Sequence, residues 1–293
     1  WALSRNYPRI FEDEQKGEEA RRLYDDANAM LDQIEQRQAL TCNGIFGLFA
    51  ANSVGDDVEL YTDDTRTEVA TRLHFLRQQT EKTAGRPNRA LADYVAPKET
   101  DIKDYVGAFA VTTGLGMEKL VERYKSDGDD YHAIMAQALA DRLAEAFAEY
   151  LHERVRRDDW GYAPNEDFSN QELIREQYRG IRPAPGYPAC PDHTEKPPIW
   201  DLLGVEKHTG IRLTENLAMY PGASVCGIYL AHPEASYYNA GTFERDQIED
   251  YAERKNMPVP EVERWLASRL AYEPDTDVRA PAGDGARGAS ATA

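Results

Sequence analysis

The segment Arg182-Pro183-Ala184-Pro185-Gly186-Tyr187 carries the densest chemistry in the chain. An arginine can hold a carboxylate through two parallel hydrogen bonds. A tyrosine can stack on a flat ring or a cation. A glycine lets another group approach the backbone closely. Prolines fill the space around these residues: six of the 17 residues from 182 to 198 are proline, at 183, 185, 188, 191, 197 and 198. Each fixes φ and lacks an N–H, so the segment is neither helix nor central strand but a stiff, extended loop. It reads either as a ligand cradle or as a packed connector. Tyr237-Tyr238 is open in the same way, to a ligand wall or to core aromatics. Asp141 and Glu145 lie four apart in a helical pattern and share a face. They could attract a cationic ligand, or be ordinary surface charge beside Arg142 and Arg154.

Other spacings are weaker. Cys190-Pro-Asp-His193 is one Cys-x-x-His pair, and zinc needs four ligands, usually from two such pairs. Cys42 and Cys226 have no neighbouring ligand, so no metal is expected. The same pair is a poor nucleophile and base, because such sites bring the base from a distant segment. Glu149-Tyr-Leu-His152 is a Glu-x-x-His, which di-iron bundles use twice. A second copy is missing, and a solvated polar helix face is the expectation. Neither a phosphate loop nor a dinucleotide fingerprint occurs; Gly114-Leu115-Gly116 reads as a turn.

The elements that must position these residues follow from periodicity. Apolar residues at helical spacing predict a helix over 12–36 and a long one over 129–157, the latter striped by Ile134, Met135, Ala138, Leu139, Leu143, Phe147, Leu151 and Val155. Residues 44–51 and 58–61 predict a hairpin across the turn at 53–57. Residues 67–83 predict a helix with Val69, Leu73 and Leu76 inward. Residues 91–96 and 105–112 predict strands joined by a loop, and 170–179 a short helix. A helix is expected within 202–209 and strands over 212–217 and 224–232, with Pro221-Gly222 as a turn. Helices over 243–255 and 259–270 complete the pattern, with Pro258 and Pro260 at the start of the second. Strands and helices mix without βαβ alternation, so the class is α+β with an antiparallel sheet. Residues 1–273 form one domain. Residues 274–293, rich in Ala, Gly, Pro, Asp, Ser and Thr and free of aromatics, are expected to be a disordered tail.

Composition narrows the function classes. With 34 basic and 52 acidic residues among 293, the net charge is −18. Such a surface repels phosphate backbones, so nucleic acid is not an expected partner. No run approaches the roughly 18 apolar residues of a membrane span. Three scattered cysteines argue for a reducing compartment, so a cytoplasmic location is expected. The chain starts at Trp1, without Met or a signal pattern, and reads as a piece of something longer.

RGIRPAPGYPACPDHTEK (179–196) resembles the C-terminal reactivation domain of cobalamin-dependent methionine synthase. The likeness continues in LRQQTEKT (76–83), DYVGAFAVT (104–112), ADRLAEAFAEYLHERVR (140–156), WGYAPNE (160–166), MYPGASV (219–225) and RDQIEDYAERKNMPVPEVERWL (245–266), and spans nearly all of 1–272. The resemblance implies a single C-shaped α+β domain with a bent antiparallel sheet flanked by helices. It implies binding of S-adenosylmethionine, in support of reductive remethylation of an inactive cob(II)alamin. The cobalamin is held by another domain or a partner chain, and a flavodoxin-type donor supplies the electron. The family motif R-x-x-x-G-Y falls on Arg182, Gly186 and Tyr187, with Ala184 offering backbone contacts. Glu145 matches the family glutamate on the long helix, and Tyr237 and Tyr238 the aromatic pair. Asp141 is assigned to the cobalamin side. An aspartate that the family uses just before its first tryptophan has no counterpart here. The other reading is a module that docks a corrinoid protein and a reductase without binding S-adenosylmethionine.

Overall fold

A computed structural model describes residues 7–274, so the predicted tail lies outside the described residues from 275 onward. The chain begins with α1 (Gly17–Arg37), which buries Ala20, Met30 and Ile34 along one face. The long strand β1 (Thr41–Val54) and β2 (Asp57–Tyr61) form the predicted hairpin, and β3 (Val69–His74) adds to its edge. Then come β4 (Asp104–Leu115), α2 (Met117–Ser126) and α3 (Asp130–Arg154). Short elements follow: α4 (Asn170–Ile174), α5 (Lys196–Leu203), α6 (Val205–Thr209) and the pair β5 (Arg212–Leu213) and β6 (Met219–Tyr220). β7 (Ser224–Tyr229), α7 (Arg245–Lys255) and α8 (Val259–Trp265) end the described chain.

The main sheet has five strands in the order β3-β2-β1-β4-β7, and every pairing is antiparallel. Its class is the α+β predicted. β1 serves two partners in succession: residues 41–51 pair with β4 and residues 51–54 with β2, overlapping only at Ala51. Side chains of β4 alternate between two cores, as a period of two requires. Phe109 and Val111 face α3 together with Ala148, Leu151, Val155 and Tyr229. Ala108 and Ala110 face the opposite layer, with Ile199, Trp200, Leu203 and Ile228. Burial on both faces explains why β4 reads as an unbroken apolar run.

Three elements differ from expectation. Residues 67–83 contain β3 rather than a helix: β-branched Val69 and Thr71 suit a strand, and Leu73 and Phe75 enter the core at spacing two. Residues 91–96 hold a 3-10 turn (Leu91–Tyr94) instead of a strand, closed by the Ala90 N–H donating to Asp93 Oδ2 at 2.9 Å. On α3 the predicted Met135 and Leu151 are buried, but most of the buried face is small, Ala133, Ala136, Ala140, Ala144 and Ala148, and Ile134 is exposed. Alanine permits closer approach to β4, and the Thr113 hydroxyl donates to the Ala140 carbonyl at 2.7 Å.

Candidate functional site

The Pro-rich segment packs on the sheet edge at β7. Ile181 N–H donates to the Leu230 carbonyl, and Leu230 N–H returns the bond, both at 3.0 Å. Ile228 N–H donates to the Pro183 carbonyl at 3.0 Å. Gly227 makes this possible, since a Cβ there would lie 2.6 Å from that carbonyl oxygen. The segment is therefore pinned to a rigid element.

A cavity of about 430 Å³ opens between this segment, β4, β7, α3 and the 237–238 stretch. Glu145, Arg182, Ala184, Tyr187, Tyr237 and Tyr238 all line it, over a floor that includes Phe109 and Val225. Two predicted residues stand apart. Gly186 does not line the cavity; it has φ +95°, its N–H donates to the Cys190 carbonyl at 2.7 Å, and a Cβ there would overlap the His193 imidazole. The group approaching this glycine belongs to the protein itself. Asp141 is exposed on α3 one turn before Glu145 and is not in the lining.

Arg182 is more enclosed than a loop arginine need be. One terminal nitrogen donates to the Tyr178 hydroxyl at 2.9 Å and to His152 Nδ1 at 3.3 Å; the other donates to Glu149 Oε2 at 2.7 Å. Its backbone N–H donates to the Tyr237 hydroxyl at 2.9 Å. Burial opposes the charge, yet Tyr178, Tyr237 and Glu149 outweigh it and hold the guanidinium above the ordinary arginine range. Five N–H donors minus the three engaged leaves two, enough for one carboxylate.

The Glu149-x-x-His152 pair, expected on a solvated face, is thus the second layer of the site. Glu149 sits one turn beyond Glu145 and anchors Arg182. His152 is fully buried and stacks on Tyr229, with ring centroids 5.0 Å apart. Burial, then Arg156 and Arg182, push its pKa well below the usual imidazole value. An arginine cannot accept, so Nδ1 is the acceptor and the ring proton sits on Nε2, facing the Tyr162 hydroxyl at 3.5 Å. Behind it the buried Arg156 donates to Glu166 at 2.6 Å and lies over the Tyr178 ring, 4.1 Å from its centroid. Sequence spacing offered one signal for this layer: Glu145 and Glu149 continue the same i, i+4 row.

Burial also raises the tyrosines; at Tyr187, burial comes first and Glu145 second. Their hydroxyls stay protonated, so the walls are neutral. The arrangement pairs one cation and one carboxylate, Arg182 and Glu145, with aromatic walls. It suits a zwitterionic amino acid attached to a flat or cationic group. Cys190 is buried with its thiol pushed up by burial, and His193 Nδ1 meets Lys196 Nζ at 2.9 Å. Among the described residues no group of three or more His, Cys, Asp and Glu side chains could hold a metal. No helix of the described residues is long and apolar enough to cross a membrane.

Fold and cavity together define a small-molecule-binding α+β module with a charged, aromatic-walled cleft. The chain belongs to the family described as the activation domain of vitamin B12-dependent methionine synthase, whose sequence pattern matches residues 1–256. Among solved structures it is similar to the MetH reactivation domain in its crystal structure bound to AdoHcy. The two share 62% sequence identity and a TM-score of 0.91, over 93% of this chain and 84% of the other.

Proposed function

We propose that this cavity binds S-adenosylmethionine, and that the chain is the reactivation module of a cobalamin-dependent methionine synthase. The observation that carries this is the convergence of Glu145, Arg182, Ala184, Tyr187, Tyr237 and Tyr238 on one cavity. Its volume of about 430 Å³ falls within the roughly 300–1,000 Å³ of small-molecule sites. The AdoHcy-bound neighbour supports a ligand-binding module over one that only docks partners.

When bound, S-adenosylmethionine supplies a methyl group to a corrinoid cobalt carried by another domain or a partner. The work of this chain is binding and orientation rather than acid–base chemistry. Arg182 holds the ligand carboxylate with its two unspent donors, and Glu145 faces the ammonium. The tyrosine walls take the adenine and the sulfonium and keep water away from the reacting face. Ala184 gives backbone contacts, Gly186 shapes the turn, and Asp141, outside the lining, faces the cobalamin side. A flavodoxin-type electron donor and a cytoplasmic setting belong to the same reading. The isolated chain then binds the methyl donor without methylating homocysteine by itself.

Calorimetric titration of the chain with S-adenosylmethionine tests this. One saturable site is expected, weakened in Arg182→Ala. Absence of binding at millimolar ligand would leave the docking-only module as the better reading.

A further inference from the structure

A second cavity, of about 630 Å³, is lined by Gln78, Lys82, Thr83, Arg86 and Arg89 among others, and shares Tyr238 with the first. Three cations converge on it in a chain whose net charge is −18. None has a carboxylate of the described residues within salt-bridge distance. Lys82 donates to Gln78 Oε1 at 2.5 Å and to the Pro87 carbonyl at 2.8 Å. Arg89 donates to the Ser236 hydroxyl at 2.7 Å, and the Arg86 guanidinium has no partner among the described residues. The nearby carboxylate of Asp93 is gripped by the fork of Arg77, at 2.7 and 2.8 Å.

The loop is closed on itself before any ligand arrives. Gln78 N–H donates to the Arg89 carbonyl at 3.0 Å, and Arg89 N–H donates to Gln78 Oε1 at 3.2 Å. Gln78 Nε2 ties the loop to the Asn239 carbonyl at 2.7 Å, and the Arg86 N–H closes a turn onto Thr83 at 3.2 Å. Three like charges held together repel one another, and this arrangement is relieved by an anion. A single carboxylate occupies one guanidinium fork. A phosphoryl group, with two charges and several oxygens, can be shared by two forks and an ammonium.

We propose that this cavity is a phosphoryl-binding subsite, distinct from the S-adenosylmethionine cavity with which it shares Tyr238. Inorganic pyrophosphate is the probe, followed by amide chemical shifts of the isolated chain without S-adenosylmethionine, so the outcome is independent of the first cavity's ligand. The expected result is saturable shifts at residues 78–89 and Tyr238, with a dissociation constant of about 1 mM or below. Arg86→Ala, which removes no side-chain hydrogen bond or ion pair among the described residues, should raise that constant roughly tenfold, the loss of one charge-assisted hydrogen bond. Shifts that do not saturate, that spread over the surface, or that persist unchanged in Arg86→Ala would overturn the proposal. So would a glutamate octapeptide that binds this loop more tightly than pyrophosphate, which would make the loop a docking surface for an acidic protein.

Discussion

Arg182 acts at the centre of a buried network, and this sets what its removal does. Arg182→Ala should raise the S-adenosylmethionine dissociation constant roughly 10- to 150-fold, equivalent to about 1.5–3 kcal/mol. Arg182→Lys should recover only part, because an ammonium cannot reproduce the planar fork. The alanine variant should also lower stability, since it strips Glu149 and Tyr178 of a partner; calorimetric titration and urea unfolding on the same samples separate the two effects. His152 gives a pH signature. The unfolded chain protonates this ring as pH falls through about 6.5, whereas the folded chain holds it neutral far lower. Its contribution is therefore complete above that pH and is lost as pH falls, by up to about 1.4 kcal/mol per unit. His152→Phe keeps a stacked ring and should flatten the fall in stability between pH 7.5 and 5.5; an unchanged slope would show that the ring protonates in the fold. At this scale the cavity lining was legible, because Arg182, Tyr187 and Tyr237 carry their chemistry in their side-chain types. The supporting layer was not: Glu149 and His152 have surface-like identities, and only the tertiary fold buries them.

At the scale of elements, α7 is fastened by ions to β2 and to the turn before α5. Lys255 Nζ reaches Asp192 at 3.1 Å, the Thr194 hydroxyl at 2.6 Å, and Glu195. Arg254 from the same helix pairs with Asp57. Asp192 and Glu195 are buried, so Lys255→Ala should cost about 3–5 kcal/mol by leaving two enclosed carboxylates without their cation. Urea unfolding measures it, and a loss below 1 kcal/mol would mean that water enters the cluster freely. Gly227→Ala is the counterpart for the site. It forces the Pro183 carbonyl away from β7, so ligand binding should weaken about tenfold or more while the remote α1–α3 packing stays intact. Titration and near-ultraviolet circular dichroism check both halves. Periodicity disclosed α1, α3 and the β1–β2 hairpin, whose lengths make the pattern unambiguous. It failed at 67–83, where Val69, Leu73 and Leu76 satisfy helical spacing while Leu73 and Phe75 obey the strand's, and pairing with β2 decides.

Over the whole molecule, 52 acidic against 34 basic residues make the compact state self-repelling. Added salt should screen this. Between low and molar potassium chloride the gain should be about 1–2 kcal/mol, or roughly 2–8 °C in melting temperature. Scanning calorimetry tests it, and a falling melting temperature would mean that the ion pairs around Lys255 and Arg254 outweigh the net charge. The α+β class and the antiparallel sheet were visible in the order of apolar runs. The partition of β1 between two partners was not, since one continuous strand pattern carries no mark of where its neighbour changes.

The cavity takes its walls from residues 109, 145, 182–184, 187–189, 225 and 237–238. A ribosome delivers these in order, and the first is complete long before the last exists. No nascent chain that stops short of Tyr238 can present the finished cleft, however much of the sheet has formed. Ligand therefore cannot template synthesis of the earlier parts; it can only select chains already folded to near their end. A truncation or stalled product ending before that tyrosine would also lack Phe243, Ile248 and Tyr251, which share a core cluster with Leu76, and would be recognisable to quality control by that uncovered leucine.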